Sequence, residues 1–420
     1  MALTSLHQAY IWMEYSFNNG CFSRTLLFLL FFFNLPQDIV GARSVGVSDV
    51  TSNVGGLCAS VVIHWGYKCQ EFKVQTKDGY ILGIQRIPRG RNGRGKGKRP
   101  PVLLQHGILV DGLTWVLNSP EESLAFILAD NGFDVWIANT RGTKFSQAHV
   151  SLSVSQPAYW AWSWDELVSY DLPATVDFVY QQTGQKLNYV GHSMGTLIAL
   201  SSLSEGKLVD KMQSAALLSP IAYLSHMTTP LGVTAAKAFA GEIAIGLGVA
   251  EFNPLWRVVK VFLNSLCLQP GVNCFDMLTE FTGNNCCLNS STVEFTLKFE
   301  PQPTSTKALT HLSQTVRDGV IRKYNYDSKE GNMRHYGQTT PPVYNMSNIP
   351  KEFPLFLSYG GQDALSNVKD VLQLLDDLKL HGGDKLTVQY VQDYGHADFV
   401  MATNAKEFVY DAVISFFNRQ

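Results

Sequence analysis

Short apolar runs alternate along most of the chain with segments of helical periodicity. The apolar runs are rich in Val, Leu, Ile and aromatic residues and occupy 101–106, 133–139, 187–191, 214–219, 353–360 and 386–392. Helix-period segments lie between several of them, at 121–131, 164–183 and 366–381. This alternation predicts an α/β fold, a mostly parallel central sheet flanked by helices on both faces. Residues 72–87 add two extended runs around the turn Asp78-Gly79, which predicts an antiparallel hairpin at one edge.

The spacing of strands breaks once, between the runs at 214–219 and 353–360. The intervening chain is far longer than a single crossover requires. We therefore predict an inserted, mainly helical cap domain at 220–350, between the two parts of a core at 43–219 and 351–420. The length of 420 residues agrees with this division, because it exceeds what one compact core usually holds.

The N-terminal residues resemble a secretory signal peptide. Arg24 precedes eight apolar residues, 26–33, a run too short to span a bilayer. The small residues Val40-Gly41-Ala42 form a candidate cleavage site, which predicts removal of residues 1–42. A buried first helix is the alternative. The leader is unusually long, and a start at Met13 is compatible with it. No later stretch resembles a membrane span.

The cysteine count of the mature chain agrees with export. Removal of residues 1–42 leaves six cysteines, an even number that suits disulfides in an oxidising compartment: Cys58, Cys69, Cys267, Cys274, Cys286 and Cys287. We expect the adjacent Cys286 and Cys287 to bond to different partners. A zinc site is disfavoured, since no C-x-x-C pair or nearby histidine has ligand spacing. Asn289 and Asn345 begin glycosylation tripeptides.

Charge excludes one class of function. The formal net charge of −2 argues against a nucleic-acid-binding protein, whose basic surface would alter the balance. Residues 89–99 are rich in Arg, Lys and Gly and could bind an anionic surface. A flexible solvated loop between strands is the interpretation we favour, because Gly-rich segments behave as coils.

The motif Gly191-His192-Ser193-Met194-Gly195 follows an apolar strand and precedes a plausible helix. This is the context of a nucleophile elbow, in which a serine occupies a strained strand-to-helix turn. The flanking glycines are needed where backbone segments approach too closely for a β-carbon. The serine needs a base to take its proton, which requires a histidine within reach.

The acid and the base are expected to follow the serine in that order along the chain. Asp363 lies three residues after the strand-like run 353–360, in the turn that follows it. His396 follows the last strand. Both positions lie at the carboxyl ends of strands, where catalytic groups of α/β sheets gather. Asp393 and Asp398 are alternative acids, although they lie very near His396 in sequence.

The segment after the strand 101–106 has the form of an oxyanion loop. Backbone amides there stabilise the charge of a tetrahedral intermediate, and we assign the amides of Ile108 and Met194. His106 precedes the serine, the wrong order for a catalytic base, so we predict that it structures the loop.

These motifs together resemble the acidic lipase family, which includes gastric and lysosomal lipases, and especially its plant triacylglycerol-lipase-like branch. The resemblance runs from about residue 48 to the C-terminus. It is carried by 65–67, 78–82, 86–88, 104–107, 128–142, 165–166, 170–175, 189–195, 360–363 and 396–399. It implies an α/β-hydrolase fold with nucleophile, acid and base at Ser193, Asp363 and His396. Met194 replaces the glutamine common in animal members; because the backbone amide acts there, activity should survive.

The resemblance implies hydrolysis of bulky apolar esters without metal or organic cofactor. The expected substrate is a neutral lipid that the enzyme meets at a lipid–water interface. The expected location is the lumen of the secretory route, a vacuole or the extracellular space. A steryl-ester hydrolase, a carboxylesterase or an acyltransferase could use the same triad. A ligand receptor that keeps the fold without turnover is a remoter alternative.

One apolar stretch of the cap bears on the substrate. Residues 230–252 are small and apolar with few charges. They predict either a lid that exposes an apolar face to lipid or a buried pair of helices.

Overall fold

The computed structural model describes residues 56–91, 97–253 and 274–420. The predicted signal peptide, the centre of the basic loop 89–99 and Cys267 lie outside the described residues. Eleven strands occur in the described residues: β1 Gln70–Gln75, β2 Tyr80–Ile87, β3 Pro101–Gln105, β4 Asp134–Ala138, β5 Ala148–His149, β6 Leu187–His192, β7 Met212–Leu218, β8 Glu251–Phe252, β9 Thr304–Ser305, β10 Leu355–Gly360 and β11 Leu386–Val391.

The described helices lie mostly between and after these strands. They are α1 Leu124–Asp130, α2 Trp164–Glu166, α3 Leu172–Thr183, α4 Met194–Ser204, α5 Pro230–Lys237, α6 Ala240–Gly246, α7 Cys274–Thr282, α8 Ser290–Phe299, α9 Thr306–Asp318, α10 Lys329–Tyr336, α11 Val368–Asp377, α12 Asp398–Met401 and α13 Asp411–Phe417. A π-helical turn, Leu167–Asp171, joins α2 to α3. Among the described residues, no helix is long and apolar enough to cross a membrane.

The central sheet confirms the predicted architecture. Its order is β1-β2-β4-β3-β6-β7-β10-β11, with β5 paired to β2. All pairs from β4 to β11 are parallel, and β1, β2 and β5 supply the antiparallel edge. All six apolar runs form strands of this sheet. The apolar composition of β3, β4, β6, β7 and β10 follows from burial on both faces of the sheet, which separate core clusters cover, whereas β11 lies at the edge and is partly exposed.

Residues between β7 and β10 form α5 to α10 and the small antiparallel pair β8–β9. These elements lie in the range for which the sequence predicts an inserted cap, 220–350, and the division into core and cap stays a prediction. In the predicted lid, α6 exposes Ile243, and the residues that flank this helix, Phe239 and Leu247, are exposed as well, so this segment is not the buried helix pair of the alternative prediction.

One disulfide expectation was wrong. Cys58 bonds to Cys69, but Cys286 and Cys287 bond to each other rather than to different partners. The physical reason lies in the turn that carries them. The buried Asp398 carboxylate accepts hydrogen bonds from the amides of both cysteines, at 3.0 and 3.2 Å, and fixes their common peptide in a tight local conformation.

Candidate active site

Ser193 lies at the sharp turn between β6 and α4. Its backbone has φ 55° and ψ −124°, a strained conformation for a residue with a β-carbon. A β-carbon on Gly191 would lie 2.8 Å from the backbone of Gly195, and one on Gly195 would lie 2.4 Å from the carbonyl oxygen of Gln105. The close approach of these backbone segments therefore requires both glycines, as predicted.

His396 and Asp363 face each other across the ends of β11 and β10. His396 Nδ1 lies 2.9 and 3.0 Å from the two carboxylate oxygens of Asp363. Asp363 also accepts hydrogen bonds from the amides of Leu365 and Ser366. Burial acts to raise the pKa of Asp363, but the neighbouring His396 and the hydrogen bonds outweigh it and hold the pKa below its usual value. The lowered pKa favours the ionised carboxylate beside the imidazole.

The second nitrogen of His396 has a different environment. His396 Nε2 is buried and has no hydrogen-bond partner among the residues that the structure describes. Since Nδ1 is held by Asp363, Nε2 is the nitrogen available to a serine hydroxyl. His192 contacts the backbone of the same residue, because its Nε2 lies 3.0 Å from the carbonyl oxygen of His396. Burial and the neighbouring His396 lower the pKa of His192 to about 3, so His192 is neutral.

The alternative acids have other environments. Asp393 is exposed. Asp398 is buried and accepts a hydrogen bond of 2.7 Å from the amide of Gly395, besides those from Cys286 and Cys287. Burial raises the pKa of Asp398 to about 6. Asp398 therefore shapes the loop that carries the histidine, while Asp363 is the carboxylate paired with the imidazole.

The loop after β3 packs directly on the nucleophile. A β-carbon on Gly107 would lie 2.8 Å from the β-carbon of Ser193. His106 Nε2 accepts a hydrogen bond from the amide of Thr140, and its Nδ1 lies 2.7 Å from the carbonyl oxygen of Gly107. Burial lowers the pKa of His106 to about 4, so the ring is neutral and can make both contacts. These are the contacts of a loop-structuring residue.

The two candidate oxyanion donors have free amides. Met194 is the first residue of α4, where no intrahelical acceptor exists. Ile108 precedes Leu109, a non-glycine residue with φ 63°. Within the described part of the chain, neither amide donates to a backbone acceptor. Both are therefore available to a negatively charged oxygen beside Ser193.

The last residue of α7 and the segment that follows it join the acid and histidine loops, which the sequence did not predict. The carbonyl oxygen of Thr282 accepts hydrogen bonds from the amides of His396 and Ala364, at 2.9 and 3.4 Å. The side chain of Asn285 accepts one of 3.0 Å from the amide of Ala397. No local pattern marks Thr282 or Asn285, because their partners lie more than 80 residues away along the chain.

The candidate catalytic groups share one edge of the sheet. Ser193, Asp363 and His396 each follow a different parallel strand, so all three lie at its carboxyl edge. Among the described residues, no cluster of three or more His, Cys, Asp or Glu side chains could hold a metal ion. The arrangement can activate a serine hydroxyl and stabilise a negatively charged oxygen, the two requirements of acyl transfer.

Known proteins share this organisation. Residues 58–119 match the model of a partial alpha/beta-hydrolase lipase region, and 100–244 match that of the alpha/beta hydrolase fold. Triacylglycerol lipase 2 of Arabidopsis thaliana is 54% identical over 94% of this chain and 96% of its own length. The chain belongs to the acidic lipase family, in its plant branch. Gastric triacylglycerol lipase of Rattus norvegicus is 37% identical to this lipase over 91% of the chain and 96% of its own length.

Solved structures share the fold of this lipase at low identity. A soluble variant of monoglyceride lipase from Saccharomyces cerevisiae, in complex with a substrate analog, has a TM-score of 0.51 at 15% identity, covering 84% of this chain and 97% of its own. A putative lipase from Sulfolobus solfataricus has a TM-score of 0.52 at 16% identity, with 84% and 94% covered. The lipase is thus an α/β-hydrolase, a carboxylic ester hydrolase, as the sequence predicted.

Proposed function

We propose that this lipase hydrolyses triacylglycerol with Ser193 as nucleophile, His396 as base and Asp363 as the carboxylate that orients the base. The observation that carries the proposal is the Asp363–His396 pair at 2.9 Å, at the same sheet edge as a serine in a strained strand-to-helix turn. The curated relatives named as triacylglycerol lipases support the choice of substrate.

The cycle begins with proton transfer from the Ser193 hydroxyl to His396 Nε2. The serine oxygen attacks the ester carbonyl carbon, and the amides of Ile108 and Met194 bind the resulting oxyanion. Collapse breaks the bond to the alcohol, which leaves with the proton held by His396. Water then loses a proton to His396 and attacks the carbonyl carbon of the acyl-enzyme. The bond to the Ser193 oxygen breaks, His396 returns the proton to that oxygen, and the fatty acid is released. The cycle uses protein groups and water, so it requires no metal or organic cofactor.

We further propose that the cap at 220–350 presents the lipid-binding surface. Thr228 donates from its amide to the carbonyl oxygen of Ala364, so the chain leading into α5 is attached beside Asp363. The chain that follows exposes Ile243 on α6 and Phe239 and Leu247 at the two ends of that helix. A cluster of large apolar side chains on short helices suits contact with a lipid–water interface.

A secretory location is part of the proposal. Asn289 and Asn345 are both exposed, which glycosylation requires. Each side chain accepts a hydrogen bond from the amide of the serine two residues later. Together with the Cys58–Cys69 disulfide, these features suit an oxidising lumen or the extracellular space.

The test is an assay of the mature chain and its Ser193→Ala variant on emulsified long-chain triacylglycerol, a steryl ester and a soluble short-chain ester. Removal of the nucleophile should lower turnover on the order of 10⁶-fold, as in serine proteases. The substitution is small, and an unchanged unfolding transition would confirm that the variant is folded.

Each other outcome moves the proposal in a defined direction. Activity confined to the steryl or soluble ester would replace the substrate and keep the triad. Transfer of the acyl group to an added alcohol in preference to water would indicate an acyltransferase. Retention of an apolar ligand without turnover by the unaltered chain would replace the enzyme with a receptor.

A further inference from the structure

A short segment after α8 is bonded to the oxyanion loop. The amide of Gln302 donates a hydrogen bond of 2.7 Å to the carbonyl oxygen of Leu109. The side chain of Gln302 accepts one of 2.9 Å from the amide of Lys144. Leu109 has a left-handed backbone conformation, which costs free energy for a non-glycine residue and persists only where neighbours impose it. The segment at 300–304 is one of those neighbours.

The same segment contributes a buried carboxyl that meets a second one on the loop. Asp111 is 1% exposed and Glu300 is 4% exposed. The amide of Asp111 donates a hydrogen bond of 3.1 Å to Glu300 Oε1, which brings the two buried carboxyl groups close together. Two buried carboxyl groups this close repel each other when both are ionised, whereas a proton on one of them removes the repulsion and lets it donate a hydrogen bond to the other.

The surroundings of the pair favour keeping that proton. Burial raises the pKa of both carboxyls, and the Asp111 charge raises that of Glu300 further. The charged side chain that faces the pair from outside is Lys144, which acts to lower the pKa of Asp111. Asp111 Oδ1 accepts from the amide of Leu113, whereas Glu300 Oε2 has no donor among the residues that the structure describes. Glu300 is therefore the carboxyl that retains the proton.

We propose that Glu300 is a positioning residue, which holds the oxyanion loop in its catalytic conformation only while it shares a proton with Asp111. The inference rests on the proposed placement of an oxyanion donor at Ile108. Loss of the proton leaves two charges buried side by side, and their repulsion and desolvation drive Glu300 away from Asp111. Leu109 then loses part of the support for its strained backbone, and the amide of Ile108 leaves its position.

The direction of the pH dependence follows from the sign of the shift. A carboxyl whose pKa is raised in the folded state binds its proton more tightly there than in the unfolded chain. Its contribution is therefore fully present in acid and is lost as the pH rises through the raised pKa. The lipase should accordingly lose kcat on the alkaline side while KM changes little, because the oxyanion forms only after substrate has bound.

The test compares the pH profiles of kcat for the unaltered chain and Glu300→Gln on a soluble ester. A glutamine donates a hydrogen bond to the Asp111 carboxylate at every pH and keeps an oxygen for the Asp111 amide. We expect near-normal kcat in acid. The fall of kcat at high pH, the alkaline limb of the profile, should move to a pH about one unit higher or more. At a fixed pH within that fall, the variant should therefore have about a tenfold higher kcat than the unaltered chain.

The control is Glu251→Gln, a half-buried carboxyl on β8 whose pKa burial also raises but which is hydrogen-bonded to Asn253 instead of the loop. Its alkaline limb should stay at the wild-type pH. Should Glu300→Gln fail to fold, Asp111→Asn tests the same pair, since its amide can cap Leu113 and donate to Glu300; its limb should also move.

Two results would overturn the inference. One is a folded Glu300→Gln variant with the alkaline limb at the wild-type pH, and the other is a shift carried by KM with kcat unmoved. Neither would affect the proposed function, because the Ser193→Ala assay compares the variant with the unaltered chain at the same pH and does not depend on the shape of the pH profile. Loss of that Ser193 dependence would instead remove the proposed mechanism, whatever the shape of the pH profile.

Discussion

Ser193 and Gly107 leave almost no spare volume between the nucleophile turn and the oxyanion loop. The nucleophile has a strained backbone, and the site of a β-carbon on Gly107 lies only 2.8 and 3.2 Å from Ser193 Cβ and Oγ. At such distances an added methyl group must displace either the serine or the loop. The glycine is thus a condition for bringing oxyanion donors next to the nucleophile.

We predict that Gly107→Ala lowers kcat about 10²-fold, comparable to removal of one oxyanion donor. The reason is displacement of Ser193 or of the Ile108 amide, so KM should change much less. Steady-state kinetics on a soluble ester measure both. The matched control is Gly383→Ala, where an added β-carbon meets no atom within 4 Å. Full activity of Gly107→Ala would show that the loop does not approach the nucleophile as described.

At the level of secondary-structure elements, Arg141 joins three parts of the fold. It follows β4, is fully buried, and forms ion pairs of 2.6 Å with Asp78 in the β1–β2 turn and with Asp171 before α3. Its guanidinium also lies 3.8 Å from the ring centroid of Tyr80. A planar group with five donors can satisfy two carboxylates and an aromatic face together, which a lysine could not. The cluster therefore brings together residues from three separate segments of the sequence.

We expect Arg141→Met to lower the free energy of unfolding by about 3–5 kcal/mol, because Asp78 and the buried Asp171 lose their counter-charge. Urea denaturation followed by tryptophan fluorescence gives the value. Arg86→Met is the control: Arg86 pairs with Asp134 at 2.8 Å but is partly exposed, so its loss should cost about 1 kcal/mol. Equal effects of the two substitutions would contradict a special role for the buried cluster.

Over the whole molecule, the parallel sheet and the predicted insertion contribute different parts of the candidate site. The sheet gathers the ends of β3, β6, β10 and β11 at one edge, and with them the residues proposed as nucleophile, acid and base and the proposed oxyanion loop. The insertion adds hydrogen bonds to the acid and histidine loops through Thr282 and carries the exposed apolar helices. The chemistry and the proposed lipid contact are therefore properties of different segments and can be separated by substitution.

We predict that Ile243→Glu lowers activity on emulsified triacylglycerol by roughly tenfold and leaves activity on a soluble ester unchanged, since a charge on the apolar surface weakens interfacial binding. The control is Leu372→Glu on α11, because Ile243 and Leu372 are both 52% exposed. Parallel assays on the two substrates give, for each variant, the ratio of activity on the emulsion to activity on the soluble ester. The same ratio for both variants would mean that the helices of the cap do not contact lipid.

Local patterns in the sequence were sufficient for the framework of the fold and for the candidate triad. The hairpin at 72–87, the six parallel strands and the helices between them follow from short-range periodicity, which burial on one or both faces imposes. Ser193, Asp363 and His396 could be chosen because each directly follows a strand, and the ends of parallel strands must meet. Met194 and Ile108 followed from the same strand ends.

Contacts between distant segments were decided only by the tertiary structure. The bond between Cys286 and Cys287 contradicted the prediction because Asp398, 112 residues from Cys286, fixes their turn. The pairing of Asp111 with Glu300, 189 residues apart, and the attachment of Thr282 to the histidine loop have no local signal. Local sequence patterns reflect the helix or strand in which a residue lies. The contacts that a residue makes with distant segments depend on how the cap packs on the sheet.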